Sequence, residues 1–338
     1  MSKLRKTLLL LLAVLALLVI GAYVFLQLQL DKVGRLTAGE TQFGAEDFEA
    51  DGDHEDTLDA VEWSKLNGIT AKEGVTNILL VGQDTREEGE RARSDSMILL
   101  SIDSNRQQLS MVSLMRDLYV QIPGYQPNKI NAAYRFGGFE LLDSTIETNF
   151  GISVDYNVAV DFNGFKDIID AMGGIDLRLS QAEVDYLSGA TEDGRKHSGT
   201  DPISGLRAGM NHLDGDAALA YARTRYVATE NARDDFGRTE RQRIVIQTVF
   251  QALKQQPWTE LLSLYDAVAD DISTDMTNDE MLSMALTVYS MGADSIQEYR
   301  IPEDGGYTNE WVRKMAVLVP TSWDLLRANL QDFLYGEA

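Results

Sequence analysis

The sequence predicts an α/β fold: a central mixed β-sheet covered by helices on both faces, a three-layer α/β/α arrangement, preceded by one N-terminal transmembrane helix. Three observations carry this reading. From Thr76 onward, short apolar runs of strand length alternate with stretches of helical spacing. The strand runs are apolar at successive positions, as strands buried on both faces are. Residues 7–26 carry no charge, and about twenty such residues are needed to cross a bilayer.

The elements follow in order. Lys3, Arg5 and Lys6 precede the uncharged run, so residues 1–6 are expected in the cytoplasm, 7–28 in the membrane and the rest outside the cell. A cleaved signal peptide is the alternative, but the run is long for one and no small-x-small site follows it cleanly. Residues 29–73, with "EDFEADGDHEDTLDAVE", are dense in acid and read as a solvated stalk with a short helix near Trp63. The globular domain is expected over 74–338. "TNILLVG", "SMILLSID" and "LSMVSLM" read as strands, with "SNRQ" turning the second into the third as a hairpin. "KINAAYRF" and "FELLDSTIETNF" have helical spacing, "YNVAVD" is a strand, "FNGFKDIIDAMGG" a helix ended by glycines, and "IDLRL" a strand. Residues 180–212 break the alternation, and their polar, glycine-rich 188–209 portion reads as a long surface loop. Helices are expected at "DGDAALAYARTR", "RTERQRIVIQTVFQALKQ", "PWTELLSLYDAVADDI", "TNDEMLSMALTVYSMG" and "TSWDLLRANLQDFLY", with a late strand at "SIQEYRIP".

Charge narrows the partners. Lys plus Arg is 30 against 53 Asp plus Glu, a formal net charge of −23 over 338 residues. Such a field repels nucleic acid, so an anionic ligand needs a local basic pocket. There are no cysteines, which excludes disulfides and thiolate metal sites, and His54, His197 and His212 lie far apart with no metal-ligand spacing.

A basic pocket is legible at the strand ends. Asp84 and Arg86 follow the first strand, Arg93 and Asp95 lead into the second, and Arg116 and Asp117 follow the third, with Lys129 and Asn131 downstream. If the second strand runs antiparallel to its neighbours, all of these lie at one edge of the sheet, the edge where α/β sheets bind ligands. "YARTRYVATENARDDFGRTERQR" adds Arg223, Arg225, Asp235, Arg238 and Gln242. Guanidinium forks suit phosphate oxygens and stay charged. Asp84 and Asp95 would oppose phosphate unless a hard cation bridged them, and Mg²⁺ favours one or two carboxylates plus phosphate oxygens. Arginines with paired aspartates therefore point to a metal-bound pyrophosphate. For a single pair such as Arg116 with Asp117, a structural salt bridge remains open. Arg233, Arg241 and Arg243 read as surface residues, and His212 as a capping or packing residue.

The motifs "NILLVGQDTR", "RSDSMILLSID", "MVSLMRDLYVQIPG", "KINAAYRFGG", "GMNHLDGDAALAYARTR" and "DDFGRTERQR", in this order over residues 74–255, resemble the LytR-CpsA-Psr family. Residues 256–338 would be a C-terminal helical part. The resemblance implies a phosphotransferase of Gram-positive-type envelopes. It would move wall teichoic acid, capsular polysaccharide or a similar anionic glycopolymer from a polyprenyl-pyrophosphate carrier to a peptidoglycan hydroxyl, with Mg²⁺. By motif, Asp84 and Asp95 would be the metal-associated carboxylates. Arg86, Arg93, Arg116, Arg223, Arg225 and Arg238 would surround the pyrophosphate, with Lys129, Asn131 and Gln242 lining the site. The catalytic set would be Asp84, Arg116, Arg223, Arg225 and Asp235, with Asp84 or Asp235 handling the hydroxyl proton. The prenyl tail is implied to sit in an apolar tunnel between sheet and helices. A pyrophosphate hydrolase and a non-catalytic anchored regulator or lipid scaffold are the alternatives.

Overall fold

Alternation along the strands divides the core between two faces of one sheet. The computed structural model describes residues 26–27, 30–36, 55–58, 61, 63, 68–83, 94–189, 202–229, 232 and 234–336. In chain order the strands are β1 (Gly34–Arg35), β2 (Val75–Gln83), β3 (Ser94–Asp103), β4 (Gln108–Leu114), β5 (Tyr119–Val120), β6 (Asn128–Lys129), β7 (Tyr156–Asp161), β8 (Ile175–Leu179), β9 (Gly209–Leu213), β10 (Ile272–Thr274), β11 (Ile296–Ile301), β12 (Tyr307–Val312) and β13 (Met315–Pro320). The helices are α1 (Ile130–Phe150), α2 (Phe162–Ala171), α3 (Gln181–Leu187), α4 (Gly215–Arg223), α5 (Asp234–Lys254), α6 (Trp258–Val268), α7 (Asn278–Met291) and α8 (Trp323–Tyr335).

The central sheet is mixed and seven-stranded, in the order β1-β10-β7-β2-β3-β4-β11. β2 is parallel to β7 and antiparallel to β3, β3 is antiparallel to β4, and β4 is parallel to β11. The expected hairpin is thus present. The carboxyl ends of β2, β4, β7 and β11 share one edge with the start of β3. On one face Leu79, Val81, Met97, Leu99, Val112 and Leu114 pack against Ile130, Leu142, Ile146 and Phe150 of α1 and Leu326, Leu330 and Leu334 of α8. On the other, Ile78, Ile98, Ile102, Leu109 and Met111 meet Ile246 and Phe250 of α5 and Met281, Met284 and Val288 of α7. Each such side chain taken from water contributes about 1.5–3 kcal/mol.

Local signals set the helix ends. Ser180 and Thr277 form capping boxes with Glu183 and Glu280. α1 kinks at Gly137 and Gly138, which have non-helical dihedrals, so the two expected helical stretches form one broken helix. A smaller cluster of β8, β9, α3 and α4 packs on α5 through Leu177, Leu187, Leu213, Ala218 and Val245.

Several expectations change. The break in alternation at 180–212 holds two elements that flank the expected 188–209 loop: the capping box starts α3 before it, and β9, from Gly209, pairs with β8 as a hairpin outside the central sheet. The 190–201 stretch of the expected loop lies outside the described residues. β10 and the β12–β13 hairpin were not expected; β10 is only three residues long. The expected membrane helix lies almost entirely outside the described residues, among which no helix is long and apolar enough to cross a membrane. Within 29–73, the short helix expected near Trp63 falls mostly outside the described residues, which include Trp63 but not 62 or 64–67. Trp63 packs beside Tyr119 and Trp323, with ring centroids 6.1 and 5.5 Å away. Gly34–Arg35 joins the sheet edge beside β10, and the Thr57 amide donates to the Trp311 carbonyl at 2.9 Å. Leu58, Val61 and Trp63, apolar residues interleaved in the acidic stretch, pack against the core beside these backbone contacts.

Candidate functional site

The carboxyl edge of the sheet gathers the charged residues through backbone geometry. Gln83, the last residue of β2, pairs with Ser94 of β3 on one side and Asp161 of β7 on the other. The β2–β3 register jumps there, from Gly82↔Ser96 to Gln83↔Ser94, so Asp95 is the extra residue of a bulge. Bulges beside sites re-aim a side chain and end the pairing. Asp84, Arg86 and Arg93 fall outside the described residues, as does the side chain of Asp95. In sequence they flank this paired edge.

Asp235, in the first turn of α5, is the centre of the described cluster. Its Oδ2 accepts from Arg238 Nη2 at 2.9 Å and lies 3.4 Å from Arg116 Nε. Its Oδ1 lies 3.3 Å from Arg225 Nε. Three guanidinium groups therefore converge on one carboxylate from a helix, a loop and the end of β4. Arg116 also lies 3.5 Å from Asp117, which is paired with Lys129 at 3.0 Å. The Asn131 amide donates to the Arg116 carbonyl at 3.4 Å, which ties the start of α1 to the end of β4. Gln242, one turn beyond Arg238 on α5, accepts from Ser96 Oγ at 3.1 Å.

Arg223 stands on the far side of the edge. Its guanidinium lies 4.3 Å from the centroid of the Phe162 ring, and Phe162 directly follows Asp161, the partner of Gln83. A cation over an aromatic face is attracted by the ring quadrupole. The structure thus brings together Arg116, Asp117, Lys129, Asn131, Arg225, Asp235 and Arg238 in direct contact, with Arg223 and Gln242 on the same edge.

The expectation that Arg241 and Arg243 are surface residues is corrected. Arg241 is wholly buried, donating to Glu183 at 2.9 Å and to the carbonyls of Thr224 and Val227 at 3.2 and 2.9 Å. It fixes the loop that carries Arg225. Arg243 donates to Glu298 and Ser113, both at 3.0 Å, and burial lowers its pKa. Helical periodicity hid both, because α5 is covered on more than one side. Arg233 lies outside the described residues. His212 is structural, as expected: its ring bonds Asp176 at 2.8 Å and the Gly173 carbonyl at 2.7 Å, and the Asp176 bond raises its pKa.

Sequence reasoning missed Arg300 and its neighbours. Arg300, near the carboxyl end of β11, lies 4.4 Å over Phe236, which stacks on Tyr307 at 5.2 Å. Placing "YRIP" beside β4 would have found it, since that puts its arginine on the same edge.

An apolar cavity of about 590 Å³ opens on the α5–α7 face. Ile168, Phe250, Leu261, Leu264, Val268 and Met281 are among its walls. Phe250 is twelve residues beyond Arg238 on the same helix, so the arginine cluster and the cavity wall are about 18 Å apart along α5.

As to metal, the Asp84–Asp95 donor set offers only hard oxygens, which suits Mg²⁺, and the Asp95 bulge lies at the right edge. The described residues contain no group of three or more His, Cys, Asp or Glu able to hold a metal by themselves. A site that draws the rest of its shell from phosphate and water needs no such group.

Comparison with known proteins places this geometry. The LytR_cpsA_psr family model matches residues 41–328, beyond the 74–255 span of the sequence motifs at both ends. A Bacillus cereus protein named polyisoprenyl-teichoic acid–peptidoglycan teichoic acid transferase TagU is 33% identical over 268 residues, covering 77% of this chain and 81% of its own. Bacillus subtilis TagV is similar in structure, with a TM-score of 0.61 and 27% identity, covering 79% of this chain and 100% of its own. A YwtF (TagT) structure described with bound octaprenyl pyrophosphate lipid has the same fold, with a TM-score of 0.57 and 21% identity, covering 83% of this chain and 99% of its own. The chain belongs to the LytR_cpsA_psr family.

Proposed function

We propose that this protein transfers an anionic glycopolymer, of the teichoic acid or capsular polysaccharide class, from a polyprenyl-pyrophosphate carrier to a sugar hydroxyl of peptidoglycan. The observation that carries the reading is the convergence of Arg116, Arg225 and Arg238 at a sheet edge, on a helix that also walls an apolar cavity. Family membership and the names of the relatives support the same reaction.

The chain's residues account for each step. The arginines, with Arg86, Arg93 and Arg223, hold the pyrophosphate by forked charge-assisted bonds and neutralise the charge that grows on the leaving side. Lys129, Asn131 and Gln242 border that position. The acceptor hydroxyl attacks the phosphorus bearing the polymer, that phosphorus bonds the new oxygen, and the bond to the bridging oxygen breaks. Polyprenyl phosphate leaves with the bridging oxygen, and the product is a phosphodiester. Both oxygens of Asp235 face guanidinium groups, so its part is to position them, which leaves Asp84 to take the hydroxyl proton. When bound, Mg²⁺ at Asp84 and Asp95 would supply further charge neutralisation at the phosphate oxygens. The prenyl tail occupies the cavity on the α5–α7 face. Residues 7–28 anchor the chain with 1–6 in the cytoplasm, their last turn at Leu26 and Gln27 reaching the domain, so that the domain over 74–338 works on the outer side, where the acceptor lies.

The test is incubation of the protein with a polyprenyl-pyrophosphate glycan, with and without peptidoglycan oligomers. Polymer joined to the oligomer, with polyprenyl phosphate released only when acceptor is present, supports transfer. Equal release without acceptor identifies a hydrolase, and no release identifies a binding protein.

A further inference from the structure

The segment that leaves the uncharged N-terminal run does not hang free of the domain. Leu30 and Val33 are 5% and 4% exposed. Gly34 and Arg35 pair in parallel with Ser273 and Thr274, extending the central sheet by a strand, and the Leu36 amide donates to the Thr274 carbonyl at 3.0 Å. Polar clamps reinforce this. Gln27 donates to Asp279 at 2.8 Å, Asn278 donates to Asp31 at 2.6 Å and to the Gln27 carbonyl at 3.3 Å, and Arg35 bonds the Met276 carbonyl and the Asn278 side chain. Lys32 is paired with Asp266 of α6. The approach of β1 to β10 is close enough that a side chain at 34 would meet Ser273 Oγ at 2.6 Å.

Two residues of this strap, Leu26 and Leu30, line the apolar cavity together with residues of α6 and α7. Tyr289, which also lines it, is 64% exposed, and Leu286 on the same helix is 48% exposed. Large apolar groups exposed beside an apolar cavity mark a surface that meets a ligand or lipid. The strap is continuous in sequence with the uncharged run of residues 7–26; with that run as the anchor proposed above, this side of the cavity is the side from which a bilayer lipid would arrive.

We infer that the juxtamembrane strap is a wall of the lipid site, with Leu26 and Leu30 touching the prenyl chain, so that the carrier passes from the bilayer into the cavity along the protein's own anchor. This rests on the reading that the cavity takes the prenyl tail. A chain shortened to its globular part lacks that wall and holds prenyl lipid more weakly, because apolar surface that would be covered stays in water.

The experiment uses the full chain in nanodiscs with radiolabelled polyprenyl phosphate. A benzophenone side chain replaces Leu30, Leu264 on the domain side of the cavity, or Leu325, an exposed leucine on α8 away from it. The expected result is a lipid adduct at 30 and at 264 and none at 325. Gly34→Val, which drives the strap from β10, should lower the adduct at 264 about tenfold. Arg35→Ala combined with Asn278→Ala, which removes clamps without adding bulk, should lower it severalfold and serves if Gly34→Val does not fold. An adduct at 264 alone, unchanged when the strap is displaced, overturns the inference while leaving the cavity as the lipid site. Absence of adduct at both 30 and 264 overturns the cavity reading and the inference with it. Equal labelling at 325 means surface partition and also overturns it.

Discussion

Arg238 donates through Nη2 to Asp235 Oδ2 at 2.9 Å, one turn back on the same helix, with its own side chain only 3% exposed. Arg116 and Arg225 reach the same carboxylate from other elements. Like charges so placed repel unless something negative sits among them, and Asp235 is that group before the substrate binds. Asp235→Asn should therefore lower the melting temperature by a few degrees. It should also make added inorganic pyrophosphate more stabilising than in wild type, because the anion restores the missing charge. A thermal-shift titration checks this, and an equal pyrophosphate response in both proteins would remove Asp235 from its positioning role.

The arginines facing the substrate should be dispensable for folding. Arg116→Ala or Arg223→Ala should cut transfer about ten- to a hundredfold, since each lost charge-assisted bond costs about 1.5–3 kcal/mol. Arg→Lys should recover little, because an ammonium lacks the fork. Steady-state kinetics beside apo thermal melts tests this. A loss of apo stability with activity kept would make these arginines structural bridges.

Arg241 should behave in the opposite way. It is buried against Glu183 and two loop carbonyls, so Arg241→Met leaves a buried carboxylate without its cation, held only by its capping bonds from Ser180. Denaturant unfolding should show a loss of about 3–5 kcal/mol. Activity should fall only in proportion to the folded fraction and to the drift of the loop bearing Arg225.

Asp143 gives the fold a pH signature. Burial, with Asp275 and Glu147 nearby, raises its pKa to about 7, against a lowering bond from Asn157. The folded state then holds a proton that the unfolded state releases near pH 3.8. Its contribution is fully present below that value and is lost as pH rises through about 7, so stability should decline from about pH 4 to about pH 7 and level off above. Asp143→Asn should flatten that decline in melting experiments at several pH values. An unchanged slope would assign the pH dependence elsewhere.

Metal and lipid should bind reciprocally. Mg²⁺ should bind the lipid-free protein weakly and tighten polyprenyl-pyrophosphate binding by the factor by which the lipid tightens Mg²⁺. Asp95→Asn should abolish that mutual effect in calorimetric titrations while arginine-driven binding persists. Equal lipid affinity with and without Mg²⁺ in the wild type would remove Asp84 and Asp95 as a metal bridge.

Much of this was legible because it depends on local pattern. The apolar runs and the "SNRQ" turn gave β2, β3 and β4, and antiparallel pairing put Arg116 on the edge that Gln83 and Ser94 share. What stayed hidden depends on contacts distant in sequence. Arg241 looked exposed because its partner Glu183 lies 58 residues away, in a short helix where the alternation of elements breaks. Arg300 went unnoticed because β11 pairs with β4 across most of the domain. Leu30 and Trp63 sit in a segment whose acidity masked the few apolar side chains that dock it.

The most direct test of the central claim follows the phosphorus. A polyprenyl-pyrophosphate glycan labelled only at the phosphorus bearing the glycan is incubated with peptidoglycan oligomers and the full chain. The account predicts that all transferred label appears in the phosphodiester joining glycan to oligomer, none in polyprenyl phosphate, and that Arg116→Ala slows its appearance at least tenfold. Label recovered in free glycan phosphate at the same rate with or without oligomer would contradict it.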